Sequence, residues 1–241
     1  MEPFSRGRYD VRAAQDAKDL TLAQNLRYRA FYTARGRARA DGRDTDDYDA
    51  AATHVIVLDR ATGGSVACFR YRLWDAQDLA QSYSAQWYDL APLARIGGPL
   101  IEIGRLCLDP DETSPDPMRL CMAAIARVVL GQGVSAMFGC ASLNGADPAA
   151  HGPILGQLAG HIGPADRLPG QKAPQTVPFP ETPGAPPPMP PLLQSYLALG
   201  GWVSDHAVID SHFDTLHVLT VVEIAKIPPA RVRALKLLAA D

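Results

Sequence analysis

Residues 100–142 carry a pattern that few folds satisfy: an alternating apolar run, LIEIGRLCLDP, a helix-length stretch, MRLCMAAIARVVLGQG, and a second short apolar run, VSAMFGCAS. The first reads as a half-buried strand ended by Pro110, and the last as a buried strand. Between them, Pro117 suits an early helical position, and Gly131 or Gly133 supplies the stop. Strand, helix and strand in that order predict a parallel crossover.

The rest of the chain extends this scheme. Leu20, Leu22, Leu26, Ala30 and Phe31 recur at roughly helical spacing, predicting an amphipathic helix over 17–34. The β-branched run THVIVLD, the turn-former ATGG and SVACFRYRLW predict a hairpin. A long irregular stretch follows, from Asp75 to Pro99. Eleven of the 28 residues from Pro164 to Pro191 are proline, so no helix or central strand is expected there, only a surface loop or a lid. LLQSYLALGGW reads as a helix with a glycine stop, and AVID and TLHVLTVVEI read as two more strands. The expectation is an α/β fold: one domain over 1–241, a mixed sheet flanked by helices, with a proline-rich loop at 164–191.

Composition excludes several function classes. With 23 Lys and Arg against 26 Asp and Glu, the chain lacks the basic surface that nucleic-acid binding needs. Cys68, Cys107, Cys121 and Cys140 have no paired spacing and read as reduced core residues of a cytosolic protein. The six histidines lack the i, i+4 pairing of a helical metal site, so no metal is expected. Ser142 lies outside any G-x-S-x-G elbow and is not read as a nucleophile. No apolar stretch reaches membrane-spanning length, so membrane contact would be peripheral. The tail IPPARVRALKLL could supply it as a basic amphipathic helix, or dock on the domain. Six arginines from Arg27 to Arg43 face a single acid, Asp41; they are either a solvated face or an attraction for an acidic partner.

Charged residues at the ends of apolar elements stand out: Arg27, Asp46, Asp49, Arg70, Glu102 and Arg105. Ions beside core segments are costly unless paired or functional. Glu102 and Arg105 fall on opposite faces of a regular strand, but a bulge at Gly104 would bring both to one side and expose a backbone N–H. That arrangement suits acyl transfer, in which a thioester oxygen gains negative charge; a structural ion pair is the competing account.

LRYRAFY, DDYD followed by HVIVLD, VACFRYRLW, LIEIGRLCLDPD, MFGCASLNGADP and PLLQSYLALGGWVSDHAVIDSHFDT together resemble the ornithine-lipid type of N-acyltransferases, from about residue 8 to 228. That family is similar to acyl-homoserine-lactone synthases and shares the acetyltransferase fold. The resemblance implies transfer of a 3-hydroxyacyl chain from acyl carrier protein to the α-amino group of ornithine, the first step of ornithine-lipid synthesis. It marks Arg27 and Phe31, Asp46 and Asp49, and Arg70 as substrate-binding candidates, and Glu102 with Arg105 as catalytic ones. Arg70 or Arg105 would take the amino acid's carboxylate, and Glu102, directly or through water, the proton.

Where acetyltransferases carry a glycine-rich pyrophosphate turn, this chain has DPDETSPDPMRL, with four acids, no glycine, and prolines that lack N–H groups. A carrier-protein donor, which presents its pantetheine arm without a nucleotide, agrees with that loss. The acyl donor is then a co-substrate, and no cofactor is expected. The rival readings are acylation of glutamine or another amino acid, an acyl-homoserine-lactone synthase using S-adenosylmethionine, and a non-catalytic acyl-binding protein. The expected place of action is cytoplasmic, or peripheral at the inner membrane.

Overall fold

The computed structural model describes residues 1–180 and 188–240. These form two compact units that alternate along the chain: Met1–Arg72, Ile103–Gly133 and the segment from Val232 make the first, and Leu73–Glu102 with Val134–Arg231 the second.

The first unit opens with β1 (Phe4–Arg6) and β2 (Tyr9–Ala13), paired antiparallel. Helix α1 (Ala17–Phe31) follows, because Asp16 caps it: the carboxylate accepts the Asp19 amide at 2.9 Å. β3 (Thr53–Asp59) and β4 (Ser65–Trp74) form the hairpin expected from ATGG, with Gly63 at φ 68° in the turn. Alternation on β3 sends Ile56 toward α1, where Ala23, Leu26, Cys68 and Cys107 close a core cluster. Each fully buried aliphatic side chain of this kind contributes roughly 1.5–3 kcal/mol.

The second unit begins in the irregular stretch, which holds three 3-10 turns (Ala76–Gln81, Ser84–Gln86, Ala91–Ile96) and the two-residue β5 (Tyr88–Asp89). The chain then runs into β6 (Leu100–Leu108), whose first three residues belong to the second unit and the rest to the first. Back in the first unit, α2 (Asp116–Gln132) takes Pro117 early and stops at Gly133, which adopts φ 61°. The helix packs on β2 and β3, and α1 also packs on β3. The first unit's strands run in the order β1, β2, β3, β4 and the Ile103–Leu108 part of β6.

The second unit continues with β7 (Ala136–Asn144), parallel to the start of β6 with Leu100 opposite Ala136, as the crossover predicts. Helix α3 (Pro148–Leu158) is a correction to the sequence reading, which has no helix there. Gly152, Pro153 and Gly156 weaken its propensity, but Asp147 caps it, and Ile154, Leu155 and Leu158 are buried. Short strands β8 (Gly170–Gln171) and β9 (Thr176–Pro178) lie in the proline-rich stretch, β8 pairing with β5 and β9 as an edge strand beside β11 (His206–Asp210). Residues 181–187 of the expected loop lie outside the described residues. The start of the loop is anchored, since Arg167 reaches Glu223 at 2.7 Å and Lys172 reaches the Ala85 carbonyl at 2.6 Å. Helix α4 (Pro191–Ala198), the short β10 (Trp202–Val203) and β12 (Thr215–Glu223) complete the unit, with β12 antiparallel to β7 along nine residues. The tail forms α5 (Pro229–Ala240), as expected. From Val232 it counts with the first unit, where Arg127 of α2 donates to the Ala239 carbonyl at 2.7 Å.

Cys68, Cys107 and Cys121 are buried free thiols, and burial holds Cys121 well above the ordinary thiol range. Among the described residues no helix is long and apolar enough to cross a membrane. His217 on β12 is buried, and its Nδ1 lies 3.2 Å from the Tyr88 hydroxyl, which donates to the His217 carbonyl at 3.0 Å. Desolvation pulls this imidazole down to about 4.

Candidate active site

Six charged side chains of the first unit interlock beneath the loop that joins α1 to β3. Arg27, from the third turn of α1, donates through Nε to Asp44 Oδ2 at 2.7 Å and through Nη1 to Asp49 Oδ1 at 2.8 Å. Its Nη2 bonds the Asp44 carbonyl at 2.7 Å. Arg70, on β4, bridges Asp49 Oδ1 and Asp46 Oδ1, both at 2.5 Å, and Asp46 Oδ2 at 2.8 Å. Arg105, on β6, donates to Asp44 Oδ2 at 3.0 Å and Asp46 Oδ2 at 2.8 Å. Three guanidinium groups thus neutralise three carboxylates, with Gln24 and His54 bonding Asp49 from the side.

The electrostatics follow from burial offset by pairing. Desolvation alone pushes the Asp46 and Asp49 carboxyls up, but the bonds and charges of the surrounding arginines outweigh it, and both end below the usual range. Desolvation likewise works against the Arg27 cation, and the charges of Asp44 and Asp49 raise it. His54 is pulled down by burial, the signature of a neutral structural imidazole. The cluster has a closed floor and a more open rim: Arg27 and Asp44 side chains are 1% exposed, Arg105 is 10% and Asp46 19%.

One backbone feature belongs to this rim. Arg105 adopts φ 54° in the middle of β6, a left-handed conformation that costs an L-residue about 1–2 kcal/mol. The sequence places the irregularity at Gly104; the structure puts the left-handed residue one position later, on the arginine itself. Such outliers persist where their surroundings over-determine them. Here Asp44 and Asp46 hold the side chain from two sides.

Five of the seven candidates therefore come together: Arg27, Asp46, Asp49, Arg70 and Arg105. Phe31 packs instead on the apolar cluster of Ala23, Leu26 and Ile56. Glu102 has its own partners in the second unit: Ser84 donates its amide and its hydroxyl to Oε1, both at 2.7 Å, and the Tyr83 amide and Trp74 indole donate to Oε2 at 3.1 and 3.3 Å. Four donors hold this buried side chain and tie the irregular stretch to β6. Asp44 and Ser84 are the residues that sequence reasoning misses. Asp44 is one of five aspartates between 41 and 49, and nothing in its type separates it from Asp41 or Asp47.

The stretch 109–120 also has a definite structure. The Asp111 amide donates to Asp109 Oδ1 at 3.2 Å, Ser114 to Glu112 Oε1 at 2.8 Å and Asp116 to Ser114 Oγ at 3.2 Å. Amides that a phosphate would need are thus used locally. A cleft of about 670 Å³ beside them is lined by Arg8, Tyr9, Glu112 and Arg119 among others, but Arg8 pairs with Glu112 at 3.4 Å and Arg119 with Asp116 at 3.3 Å. Of the arginine-rich segment, Arg27 is buried and Arg29 pairs with Asp109 at 2.5 Å, while Arg37 and Arg39 lie over the Tyr32 ring.

Comparison with known proteins agrees with this architecture. A family model described as an acetyltransferase (GNAT) domain matches residues 26–121. The fold resembles that of an N-acyl amino acid synthase from uncultured soil microbes, with a TM-score of 0.55, 12% identity, and coverage of 93% of this chain and 98% of the other. A CoA-dependent acyl-homoserine lactone synthase gives a TM-score of 0.50 at 14% identity, covering 93% and 89%. In sequence, the L-ornithine N(alpha)-acyltransferase of Brucella abortus is 31% identical across 92% of this chain and 86% of its own length. The protein of the same name from Rhizobium meliloti is 30% identical across 90% and 81%, and that of Rhodobacter capsulatus 29% across 89% and 90%. With a neutral Arg/Asp cluster on an acetyltransferase fold and relatives that span its length, the chain is an acyltransferase and belongs to the L-ornithine Nα-acyltransferase family.

Proposed function

We propose that the protein moves a 3-hydroxyacyl chain from acyl carrier protein to the α-amino group of ornithine, giving a lyso-lipid. The observation that supports N-acylation of ornithine is the 30–31% identity to L-ornithine N(alpha)-acyltransferases over most of their length. The neutral amine attacks the thioester carbonyl; the C–N bond forms, the C–S bond breaks, the amine proton passes to the protein and from it to the departing sulfur, and the carrier thiol leaves. Each of Arg70 and Arg105 is held by two aspartates, and Arg105, 10% exposed against 5% for Arg70, is the more accessible partner for the acceptor's carboxylate. Glu102 is the proposed proton acceptor, directly or through water. Phe31 supports the helix that carries Arg27.

Two observations support a carrier protein over a nucleotide-bearing donor. The amides at 111, 114 and 116 already have acceptors, and Arg35, Arg37, Arg39 and Arg43 offer positive charge to an acidic carrier. The reaction needs no cofactor in this reading. It takes place in the cytoplasm, at the inner membrane surface where the lyso-lipid is delivered, with the basic helix α5 as the contact.

The test is mass spectrometry of products after incubation with 3-hydroxyacyl carrier protein and a mixture of ornithine, glutamine and lysine. N-acylornithine is the expected product. An acylated glutamine or lysine would change the acceptor, and an intact thioester with no product would overturn the reading.

A further inference from the structure

We infer that Asp44 is a positioning residue: it aims Arg105 at the carboxylate of the acceptor amino acid. The inference rests on the proposed role of Arg105, and it adds a residue that none of the matched motif residues includes.

Three observations carry it. Asp44 Oδ2 is shared between two guanidinium groups, accepting Arg27 Nε at 2.7 Å and Arg105 Nε at 3.0 Å. Asp44 itself cannot adjust, because its amide donates to the Gln24 carbonyl at 3.2 Å and its carbonyl accepts Arg27 Nη2 at 2.7 Å. Arg105 holds φ 54° in a strand, a conformation that no local feature of the arginine favours. Asp44 Oδ2 thus couples the fixed floor of the cluster to the residue at its rim, which Asp46 Oδ2 holds from the other side at 2.8 Å.

Charge explains why the anchor is an acidic residue. Arg105 acts against the cationic form of Arg27, so the two guanidinium groups repel, and the Asp44 charge between them outweighs that repulsion. With an uncharged residue in place of Asp44, Arg105 moves away from Arg27, the backbone at 105 relaxes toward ordinary strand geometry, and the part of the guanidinium beyond its bond to Asp46 no longer meets the acceptor's carboxylate in register. Specificity for an acceptor with a free carboxylate is the property Asp44 provides.

The experiment compares wild type, Asp44→Asn and Arg105→Gln with ornithine and with ornithine methyl ester, using one acyl donor throughout. The expected result is a KM for ornithine raised about 10-fold or more in Asp44→Asn, the scale of a lost hydrogen bond to a charged group. The ester, which has no carboxylate to aim at, should react alike in wild type and variant. Equal losses on both acceptors would overturn the inference, because a merely structural role acts without regard to the acceptor. If Arg105→Gln leaves the acid-to-ester preference intact, the carboxylate role of Arg105 fails. If Arg105→Gln abolishes that preference and Asp44→Asn does not, the positioning role alone fails. Should Asp44→Asn not fold, Asp44→Glu keeps the charge and displaces it by one methylene; a wild-type preference in that variant would equally refute positioning.

Discussion

Replacing Arg27 by methionine is the most direct probe of the charge cluster. Methionine keeps an unbranched stem in the same space, so the loss is mainly electrostatic. The substitution removes four hydrogen bonds, to both Asp49 oxygens, to Asp44 Oδ2 and to the Asp44 carbonyl. It leaves two guanidinium groups facing three carboxylates in a site whose floor is 1% exposed. Breaking one partner of a buried pair costs about 3–5 kcal/mol, chiefly because the remaining charge is uncompensated. At about 2–4 °C per kcal/mol for a chain of this size, the melting temperature should fall by roughly 6–20 °C. Urea titration followed by circular dichroism measures the change at 25 °C. Adding Asp44→Leu to the variant should recover part of it by removing the surplus carboxylate. A loss under about 1 kcal/mol, or no recovery in the double variant, would refute the view that Arg27 stabilises through charge balance.

The other predictions address single features. His217 is held at about 4 in the folded protein and is near 6.5 in an unfolded chain, so the unfolded state binds the extra proton; stability is present above 6.5 and falls as pH drops toward 4. The expected loss is of order 3 kcal/mol over that window, measured by urea unfolding at several pH values, and His217→Gln should flatten the slope. Asp16→Ala should lower stability by about 0.5–2 kcal/mol through the lost cap of α1, with a matching drop in the urea midpoint. Glu102→Gln should cut kcat by about 10²- to 10⁴-fold with a much smaller change in acceptor KM, measured by thiol release. Charge reversal at Arg35, Arg37 and Arg39 should raise the apparent KM for acyl carrier protein; unchanged kinetics would remove that segment from the docking surface.

The sequence is most informative where local chemistry and tertiary packing agree. ATGG dictates a turn whatever surrounds it, and the β6, α2 and β7 order leaves a parallel crossover as the ready solution. Helix α3 escapes notice because Gly152, Pro153 and Gly156 argue against it, and only burial of Leu155 and Leu158 decides the matter. The N-terminal strands are three and five residues long, too short for periodicity to register. At the site, arginines flanked by apolar residues are conspicuous, since burying such a cation demands a partner. Asp44 gives no such signal, because an aspartate in an acidic loop is ordinary until the loop folds over Arg27. The separate partners of Glu102 are invisible for a related reason: Ser84 and Tyr83 come from an irregular stretch with no pattern to read.

The alternation of the two units along the chain has a consequence for synthesis. The first unit needs Met1–Arg72, then Ile103–Gly133, then the segment from Val232, while the second is assembled from the intervening pieces. A ribosome making this chain from its N-terminus delivers Arg27 and Arg70 long before Arg105, their companion through Asp44 and Asp46. Until β6 emerges, the partly assembled cluster holds three carboxylates and two cations, and the nascent chain must carry that surplus charge exposed to water. Folding of the charge cluster is therefore gated by elongation through residue 105, and pausing or truncation before it should leave a species prone to capture by chaperones.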